Sequence, residues 1–294
     1  MTKRRALVLG STGMLGGTVL KTLWDSDTEV LAASRSRGLI FDAEVESVGD
    51  LLGKAGLQSG DFVVNCIGVT KAHICRNSTE SLERAIRLNA LFPIALARAA
   101  EALNVRVIQV ATDCVFSGSE GQYIESSAHD AFDAYGKSKS LGEVISKHVM
   151  HIRCSLVGPE GEGRQTLFFE WVRAAAPDSL LNGYVNHRWN GLTSLAFARI
   201  VAGIIENDTF IPGLHHLVPA DELTKYELIK LELEMLKREN IMVKNFSDVK
   251  EIDRTLATEQ PEVNRLLFAS GGYDRVPTIR EMMEELPWEV LRER

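Results

Sequence analysis

Residues Arg5 to Gly16, RALVLGSTGMLG, decide the fold of this chain. The apolar run RALVL has the length of a buried strand, a glycine-rich turn follows it, and Met14 to Trp24 then repeats apolar residues at helical spacing. A strand that passes through a glycine turn into a helix is the opening unit of a parallel sheet covered by helices. We therefore predict an α/β fold that begins with this strand and this helix.

The glycine turn has the composition of a dinucleotide-binding turn. Its spacing is Gly-x-x-Gly-x-x-Gly, and glycine lets the backbone approach a pyrophosphate that rests on the N-terminus of the helix. The alternative is a turn that only closes the strand–helix connection, without a ligand. We expect the whole turn to contact a cofactor, namely Gly10, Ser11, Thr12, Gly13, Met14, Leu15 and Gly16.

Two arginines after the second predicted strand bear on the choice of cofactor. The strand Glu29–Ser34 is followed by Arg35 and Arg37, and no carboxylate occupies positions 33–37. A carboxylate here would bind the ribose 2′-hydroxyl of NAD, whereas an arginine accommodates the 2′-phosphate of NADP. The sequence therefore favours NADP(H), with Arg35 the first candidate and Arg37 the second. The alternative is a pair of solvated loop arginines.

Tyr135 and Lys139, four positions apart, are the candidate reactive groups. We predict a helix over 134–148, which places both side chains on one face. A free phenol titrates at about 10, and an adjacent ammonium favours the phenolate and lowers that pKa. Tyr135 would give its proton to a carbonyl oxygen while a reduced nicotinamide delivers hydride, and Lys139 would reach the nicotinamide ribose. The alternative is an ordinary surface helix, because Tyr-x-x-x-Lys also arises by chance.

Strands alternate with helices as far as residue 153, and two further helices are predicted after it. We predict strands at 38–42, 61–67, 105–111 and 148–153, and helices at 78–103, 194–206 and 221–240. Strands separated by helices form a parallel doubly wound (Rossmann) sheet, in which ligands bind at the carboxyl ends of the strands. Gly10, Asn65 and Thr112 all fall at such ends, so three separate motifs predict one site.

Composition limits the classes of function. The chain has 294 residues, of which 45% are hydrophobic, and its 33 basic and 40 acidic side chains give a net charge of −7. The sequence contains no basic cluster of the kind that would indicate a nucleic-acid partner. The cysteines at 66, 75, 114 and 154 lack the spacing of a zinc site or a disulfide framework, so we expect no metal. We see no leader and no apolar run of membrane-spanning length, and we expect a cytoplasmic protein without a membrane partner.

Together with these motifs, further stretches make the chain resemble the extended short-chain dehydrogenase/reductases, specifically the dTDP-4-dehydrorhamnose reductase-like group. They are VVNCIG at 63–68, LNA at 88–90, ATDCVFSG at 111–118 and YGKSKSLGE at 135–143, and the resemblance is thin after residue 158. It implies that Thr112 hydrogen-bonds the substrate carbonyl oxygen beside Tyr135, where a fixed donor stabilises a developing oxyanion. It also implies that Asp42 contacts the adenine end of the cofactor. Four more residues would lie along the cofactor: Asn65, Cys66, Ile67 and Gly68. The plainer alternatives are a turn cap for Thr112 and a solvated acid for Asp42.

Position 114 separates this chain from the groups it resembles. The 4,6-dehydratases have an Asp-Glu pair after the threonine, whereas this chain has Asp113 and then Cys114, so we do not expect a dehydratase. Rhamnose-type reductases often have a tyrosine there, which implies a different sugar pocket. Cys114 matches an acid–base cysteine of GDP-fucose synthases, but their partner histidine has no counterpart at 160–168 unless His187 replaces it. Epimerase chemistry and a pocket-lining thiol both stay open.

The polar, aromatic and glycine-bearing segment 182–193 has the composition expected of a lid over a sugar-nucleotide pocket. Loop residues without a ligand are the alternative for the members of that segment. The candidates for substrate contacts are Asp113, Cys114, Val115, His187, Trp189 and Asn190. We predict an NADP-binding Rossmann domain over 1–158, to which a helix at 194–208 returns, and a smaller, mostly α substrate domain over 159–193 and 209–294.

The leading hypothesis is an NADPH-dependent reductase of the 4-keto group of a nucleotide-activated 6-deoxyhexose, in the supply of polysaccharide precursors. A homodimer is a candidate assembly. One alternative is an epimerase or epimerase-reductase that uses Cys114. Another is a non-catalytic NADP-binding regulatory subunit, as the β subunit of methionine adenosyltransferase shows for this fold, although an intact Thr112, Tyr135 and Lys139 set disfavours it.

Overall fold

The computed structural model of the protein describes residues 4–161 and 166–293. Residues 1–3, 162–165 and 294, which the domain assignments above include, lie outside the described residues. The strands are β1 (Arg5–Leu9), β2 (Glu29–Ser34), β3 (Leu39–Ile40), β4 (Phe62–Asn65), β5 (Arg106–Thr112), β6 (Val149–Cys154), β7 (Leu156–Val157), β8 (Leu180–Tyr184), β9 (His187–Trp189), β10 (Leu192–Thr193), β11 (Gly213–His216), β12 (Leu223–Thr224), β13 (Met242–Phe246) and β14 (Ile252–Asp253). The helices are α1 (Met14–Trp24), α2 (Val48–Lys54), α3 (Thr79–Ile86), α4 (Phe92–Leu103), α5 (Ala134–Leu141), α6 (Phe168–Arg173), α7 (Ser194–Asn207), α8 (Lys225–Leu236), α9 (Pro261–Ser270), α10 (Ile279–Glu284) and α11 (Trp288–Glu293).

A seven-stranded sheet in the order β11-β6-β5-β4-β1-β2-β3 forms the centre of the fold. Every neighbouring pair in it is parallel. The chain order reverses between β1 and β4, and ligands of doubly wound sheets bind in the crevice at such a reversal. The predicted α/β doubly wound sheet is therefore confirmed.

Alternation along β1 shows how the sheet is buried on both faces. Ala6 and Val8 belong to a core that includes α1 and α7, whereas Leu7 and Leu9 belong to a second core with α2 and α4. Side chains of a strand point alternately to its two faces, so an uninterrupted apolar strand needs helices on both sides. The helix predicted at 194–206 is α7, and it packs against α1.

Three predicted helices end differently from the expectation. The helix predicted at 134–148 stops at Leu141, and a Cβ on Gly142 would lie 2.1 Å from the carbonyl oxygen of Asn89. The helix predicted at 78–103 is interrupted by a π turn at Arg87–Leu91, because Pro93 cannot donate to the carbonyl four residues earlier. The helix predicted at 221–240 is shorter in the structure, where it corresponds to α8. That helix begins at a capping box formed by Thr224 and Glu227.

The C-terminal part departs from the predicted division. Segment 182–193 is built largely from short strands: β8 pairs with β13, β9 with β12 and β14, and β10 with β7. β11 lies within 209–294, which the sequence assigns to the smaller domain, but it pairs with β6 in the main sheet. Among the described residues, none of the helices has the length and apolar character needed to cross a bilayer.

Candidate active site

A cleft of about 620 Å³ lies at the carboxyl ends of β1, β4 and β5. Its opposite wall comes from the chain after β6, including Ser155 and Leu167. Many of the residues predicted from the sequence line it: Gly13, Met14, Leu15, Arg35, Cys66, Ile67, Gly68, Thr112, Asp113, Cys114, Tyr135 and Lys139. The sheet therefore gathers motifs that lie more than a hundred positions apart in the chain.

The glycine turn supplies a helix N-terminus to this cleft. Gly10 has a φ of +75°, and a Cβ on Gly16 would lie 2.2 Å from the carbonyl oxygen of Gly10, so neither position accepts a side chain without a shift. Ser11 donates from Oγ to the carbonyl oxygen of Ala33 at 3.1 Å, which ties the turn to β2. Gly10, Ser11, Thr12 and Gly16 are not among the cleft-lining residues; they belong to the turn that presents the cleft-lining ones.

The predicted cofactor residues beyond the turn fall into two groups. Arg35 is exposed and lines the cleft, whereas Arg37 is exposed and lies outside the lining. Asp42 also lies outside the lining, and its Oδ1 accepts from the Glu44 N–H at 3.0 Å. Asn65 is fully buried: it donates to Gln109 at 2.8 Å and accepts from the Ile67 N–H at 3.0 Å, so it shapes the loop that lines the cleft.

Tyr135 and Lys139 project from α5, with Thr112 beside the phenol. The helix begins where Asp133 accepts from the Gly136 N–H at 2.9 Å. Lys139 donates from Nζ to the carbonyl oxygen of Val110 at 2.8 Å, which anchors its ammonium to β5. The Thr112 hydroxyl donates to Oδ1 of Asp113 at 3.2 Å. Thr112, Tyr135 and Lys139 all line the cleft, so the structure brings the three predicted catalytic residues to one site.

Burial controls the ionisation of these groups. It raises the pKa of the Tyr135 phenol above its ordinary value, and the neighbouring Thr112 hydroxyl opposes that rise. The expected lowering of this pKa is not met, because the effect of burial is the largest and raises it. Burial also lowers the pKa of Lys139 to about 8, against an opposing effect of the Glu143 carboxylate. Tyr135 is consequently a neutral phenol at neutral pH, able to donate a proton.

Cys114 lines the cleft as a protonated thiol. Burial raises its pKa to about 12, and the neighbouring Asp113 carboxylate acts in the same direction. His187, the histidine suggested as its partner, is not among the residues that line the cleft. Its ring stacks on Tyr184 with 4.2 Å between the ring centres. The described residues therefore do not pair Cys114 with His187.

The other predicted substrate residues support the cleft from behind. Val115 is fully buried and packs in a small core with Leu256. Trp189 is buried and donates from Nε1 to Oγ of Ser155 at 2.8 Å. The Asn190 amide donates to the Leu256 carbonyl at 2.7 Å and accepts from its N–H at 2.9 Å. Val115, Trp189 and Asn190 are therefore held by packing or by hydrogen bonds within the protein, and none of them lines the cleft.

Asn89 is a cleft residue that the sequence analysis did not single out. It lies in the π turn, and its Oδ1 accepts from the Val69 N–H at 2.8 Å. Its Nδ2 donates to the Val69 carbonyl at 3.0 Å and to Oγ of Ser138 at 3.1 Å. This amide joins the loop after β4 to α5. The LNA stretch at 88–90 carried the signal, but only as part of a family resemblance.

Comparison with known proteins places these features in a wider group. The family model described as RmlD substrate binding domain matches residues 4–269. The chain is similar to methionine adenosyltransferase 2 subunit beta of Danio rerio, with 28% identity over 238 residues, 76% of this chain and 72% of the relative. It is also similar to the probable low-salt glycan biosynthesis reductase Agl14 of Haloferax volcanii, with 29% identity over 192 residues, 60% of this chain and 62% of the relative.

Solved structures share the fold. The dTDP-4-dehydrorhamnose reductase of Bacillus anthracis, solved in complex with NADP, superposes with a TM-score of 0.78 at 16% identity. The superposition covers 96% of this chain and 98% of that one. At this identity the likeness concerns the fold, which extends over nearly all of both chains.

Proposed function

The chain belongs to the RmlD substrate binding domain family, an RmlD-like group of the extended short-chain dehydrogenase/reductases, and on this premise we propose that it is an NADPH-dependent reductase. Its substrate in this proposal is the 4-keto group of a nucleotide-activated 6-deoxyhexose. One observation carries the proposal: Thr112, Tyr135 and Lys139 line the same cleft as the glycine turn. A proton donor and an oxyanion donor there face the space next to a helix N-terminus.

The residues of the cleft fit a pyridine dinucleotide. The close approach of Gly16 to the Gly10 carbonyl keeps the turn tight in front of α1, whose N-terminus suits a pyrophosphate. Arg35 would hold the 2′-phosphate of NADP, and Lys139 would hold the nicotinamide ribose hydroxyls. When bound in its reduced form, the cofactor supplies the hydride.

In this mechanism the protein side chains handle the proton and the developing charge. Tyr135 donates its phenolic proton to the substrate carbonyl oxygen as the carbonyl carbon is reduced. Thr112 donates a hydrogen bond to the same oxygen and stabilises the negative charge that forms on it. The raised pKa of Tyr135 supports the role of donor, because the phenol holds its proton until the oxygen becomes basic. Lys139 keeps a positive charge beside the reacting groups.

One comparison favours a second candidate. The 28% identity with a methionine adenosyltransferase β subunit supports a non-catalytic NADP-binding regulatory subunit. Such a subunit would use the glycine turn and would not need the proton donor. The presence of Tyr135, Thr112 and Lys139 at one wall of the cleft favours the reductase.

The test is turnover of purified protein with NADPH and a panel of dTDP-, GDP- and UDP-linked 4-keto-6-deoxyhexoses, followed by the loss of NADPH absorbance. Reduction of one panel member is expected. NADPH binding without turnover of any member would overturn the reductase proposal in favour of the regulatory subunit. Solvent deuterium at C3 or C5 of the sugar would instead indicate epimerisation.

Arg35→Ala is expected to weaken NADPH more than NADH. The guanidinium at the cleft would lose its charge-assisted contact with the 2′-phosphate, so KM for NADPH should rise roughly tenfold or more while KM for NADH changes little. Steady-state kinetics with both cofactors measure this. Arg37→Ala, at an exposed arginine outside the cleft lining, is the matched control and should leave both values near wild type. Equal effects on NADPH and NADH would contradict the assignment.

The pH dependence of kcat/KM should show an alkaline limb set by Lys139. Its pKa in the structure is about 8, below the ordinary value for lysine, so the ammonium is present below that pH and lost above it. Because kcat/KM reports the free enzyme, activity should fall as pH rises through about 8. Lys139→Arg keeps a cation that does not titrate in this range, and the limb should disappear at reduced overall activity. An unchanged limb in that variant would assign it to another group.

A further inference from the structure

The guanidinium of Arg153, near the end of β6, is fully buried and has no part in the mechanism described above. Its Nε donates to one carboxylate oxygen of Glu143 at 3.3 Å, and a terminal N–H donates to the other at 2.5 Å. The Glu143 side chain is only 12% exposed. Because removing two ions from water is costly, such a pair is favourable only with good geometry and with further hydrogen bonds. The two charges are therefore held in fixed positions.

Two histidines accept further N–H groups of this guanidinium. Nε2 of His216 lies 2.8 Å from one terminal nitrogen, and Nε2 of His129 lies 2.7 Å from the other. A guanidinium cannot accept a hydrogen bond, so both imidazoles accept at Nε2 and carry their proton on Nδ1. These Nδ1 atoms lie 2.7 Å from the Ala257 carbonyl and 2.6 Å from Oγ of Ser140. Both histidines are neutral, since burial and the guanidinium charge lower their pKa values. The negative charge that balances the guanidinium consequently comes from the carboxylate paired with it.

The same carboxylate also acts on the cleft. Glu143 lies four positions after Lys139, and Gly142 between them keeps a right-handed helical backbone at the end of α5, so the two side chains lie on one face. Burial lowers the pKa of Lys139, whereas the Glu143 carboxylate and the Cys66 thiol act in the opposite direction. The atom that accepts from the Lys139 ammonium is a neutral backbone carbonyl oxygen. Glu143 thus supplies negative charge to two desolvated cations, Arg153 in the core and Lys139 at the cleft.

We propose that Glu143 is a positioning residue for Lys139, and that Arg153 holds the Glu143 carboxylate in place. This inference rests on the proposed function, in which Lys139 contacts the nicotinamide ribose. Opposite charges one helical turn apart attract strongly where water is scarce, so the carboxylate keeps the ammonium protonated and directed along α5. Without it, the amine would lose its proton at a lower pH, and with the proton the positive charge beside the reacting groups.

NMR of lysine side chains measures this effect without requiring turnover. The full chain, carrying isotope-labelled lysine, is titrated with base, and the Lys139 signal is the one that Lys139→Arg removes. In Glu143→Gln the midpoint of that titration should fall by roughly one pH unit, the effect of losing one nearby opposite charge. The alkaline limb of kcat/KM should move to lower pH together with it, which a purely structural role of Glu143 would not cause.

A second variant keeps the test decisive if the first does not fold. Glu143→Gln alone leaves Arg153 buried without its counter-ion, which is strongly destabilising. The double variant Glu143→Gln/Arg153→Met removes both charges and leaves no uncompensated ion in the core, and the Lys139 midpoint should fall in it as well. Glu285→Gln is the matched control: Glu285 pairs with Arg199 at 2.9 Å and does not line the cleft, so its loss should leave the midpoint unchanged.

The outcomes separate this inference from the proposed function. An unchanged Lys139 midpoint in the folded double variant would overturn the positioning role and leave the reductase proposal standing. Equal shifts in Glu143→Asp, which keeps the charge, and in Glu143→Gln would assign the change to packing and also overturn it. A lowered midpoint in a protein that reduces no keto-sugar would support the pairing of Glu143 with Lys139 and overturn the reductase proposal alone.

Discussion

Replacing Tyr135 by phenylalanine lowers kcat for keto-sugar reduction by roughly a hundredfold to ten-thousandfold, the contribution of a positioned general acid. The variant loses only the phenolic oxygen, so the cleft keeps its shape and Thr112 remains as the single donor to the carbonyl oxygen. NADPH affinity should stay close to that of wild type, because the ring is not among the groups assigned to the dinucleotide. Single-turnover kinetics and fluorescence titration of NADPH measure the two quantities separately.

Tyr184→Phe is the control for that experiment. Tyr184 stacks on His187 with 4.2 Å between ring centres and does not line the cleft. The same chemical change there should leave kcat near wild type. A Tyr135→Phe enzyme that reduces its substrate at the wild-type rate would contradict the assignment of the proton donor. An equal loss in both variants would point to a general effect on the fold.

Gly16→Ala should weaken NADPH binding and destabilise the fold. A Cβ at this position would lie 2.2 Å from the carbonyl oxygen and 2.8 Å from the carbonyl carbon of Gly10. Both atoms are backbone, so the turn itself must move, and the N-terminus of α1 moves with it. We expect Kd for NADPH to rise by at least about tenfold and the free energy of unfolding to fall by roughly 1–3 kcal/mol, as for overpacked sites. Fluorescence titration and chemical denaturation provide the two values.

The neighbouring glycine offers a matched control. A Cβ on Gly17 would meet the Ser11 carbonyl oxygen at 3.6 Å, an ordinary contact. Since alanine favours a helix interior by up to about 1 kcal/mol over glycine, Gly17→Ala should bind NADPH like wild type and unfold no more easily. If Gly16→Ala kept wild-type affinity, the turn would not be the dinucleotide cradle. Because the two substitutions lie at adjacent positions, an effect of alanine on α1 in general would appear in both variants.

The first elements of the fold could be predicted to the residue because several local signals agree there. β1, α1 and β2 have the predicted bounds, since apolar runs, a glycine turn and helical periodicity all change at the same positions. The π turn at Arg87–Leu91 could not be predicted in this way, because its periodicity differs from that of an α-helix by a single residue. β11 was missed because a strand of four residues far along the chain gives no sign of which sheet edge it joins.

The candidate site could likewise be predicted only in part. Residues at the carboxyl ends of strands could be predicted to meet, because parallel topology brings those ends to one edge. Trp189 and Asn190 could not be placed, because composition indicates a polar, aromatic segment but not which bonds its side chains make. In the structure Asn190 pairs with Leu256, a partner 66 positions away.

Because of the π turn between α3 and α4, the geometry of the site depends on the number of residues in this stretch of the chain. A π turn contains one residue more than an α turn, so deleting Arg87 or Leu88 from it would move every later residue of this helical stretch by one position. Positions after the deletion would rotate by about 100° about the helix axis. The Asn89 amide would then point away from Val69 and Ser138, and the loop after β4 would lose its tie to α5. A shortened chain could thus keep every reactive side chain and still misalign them.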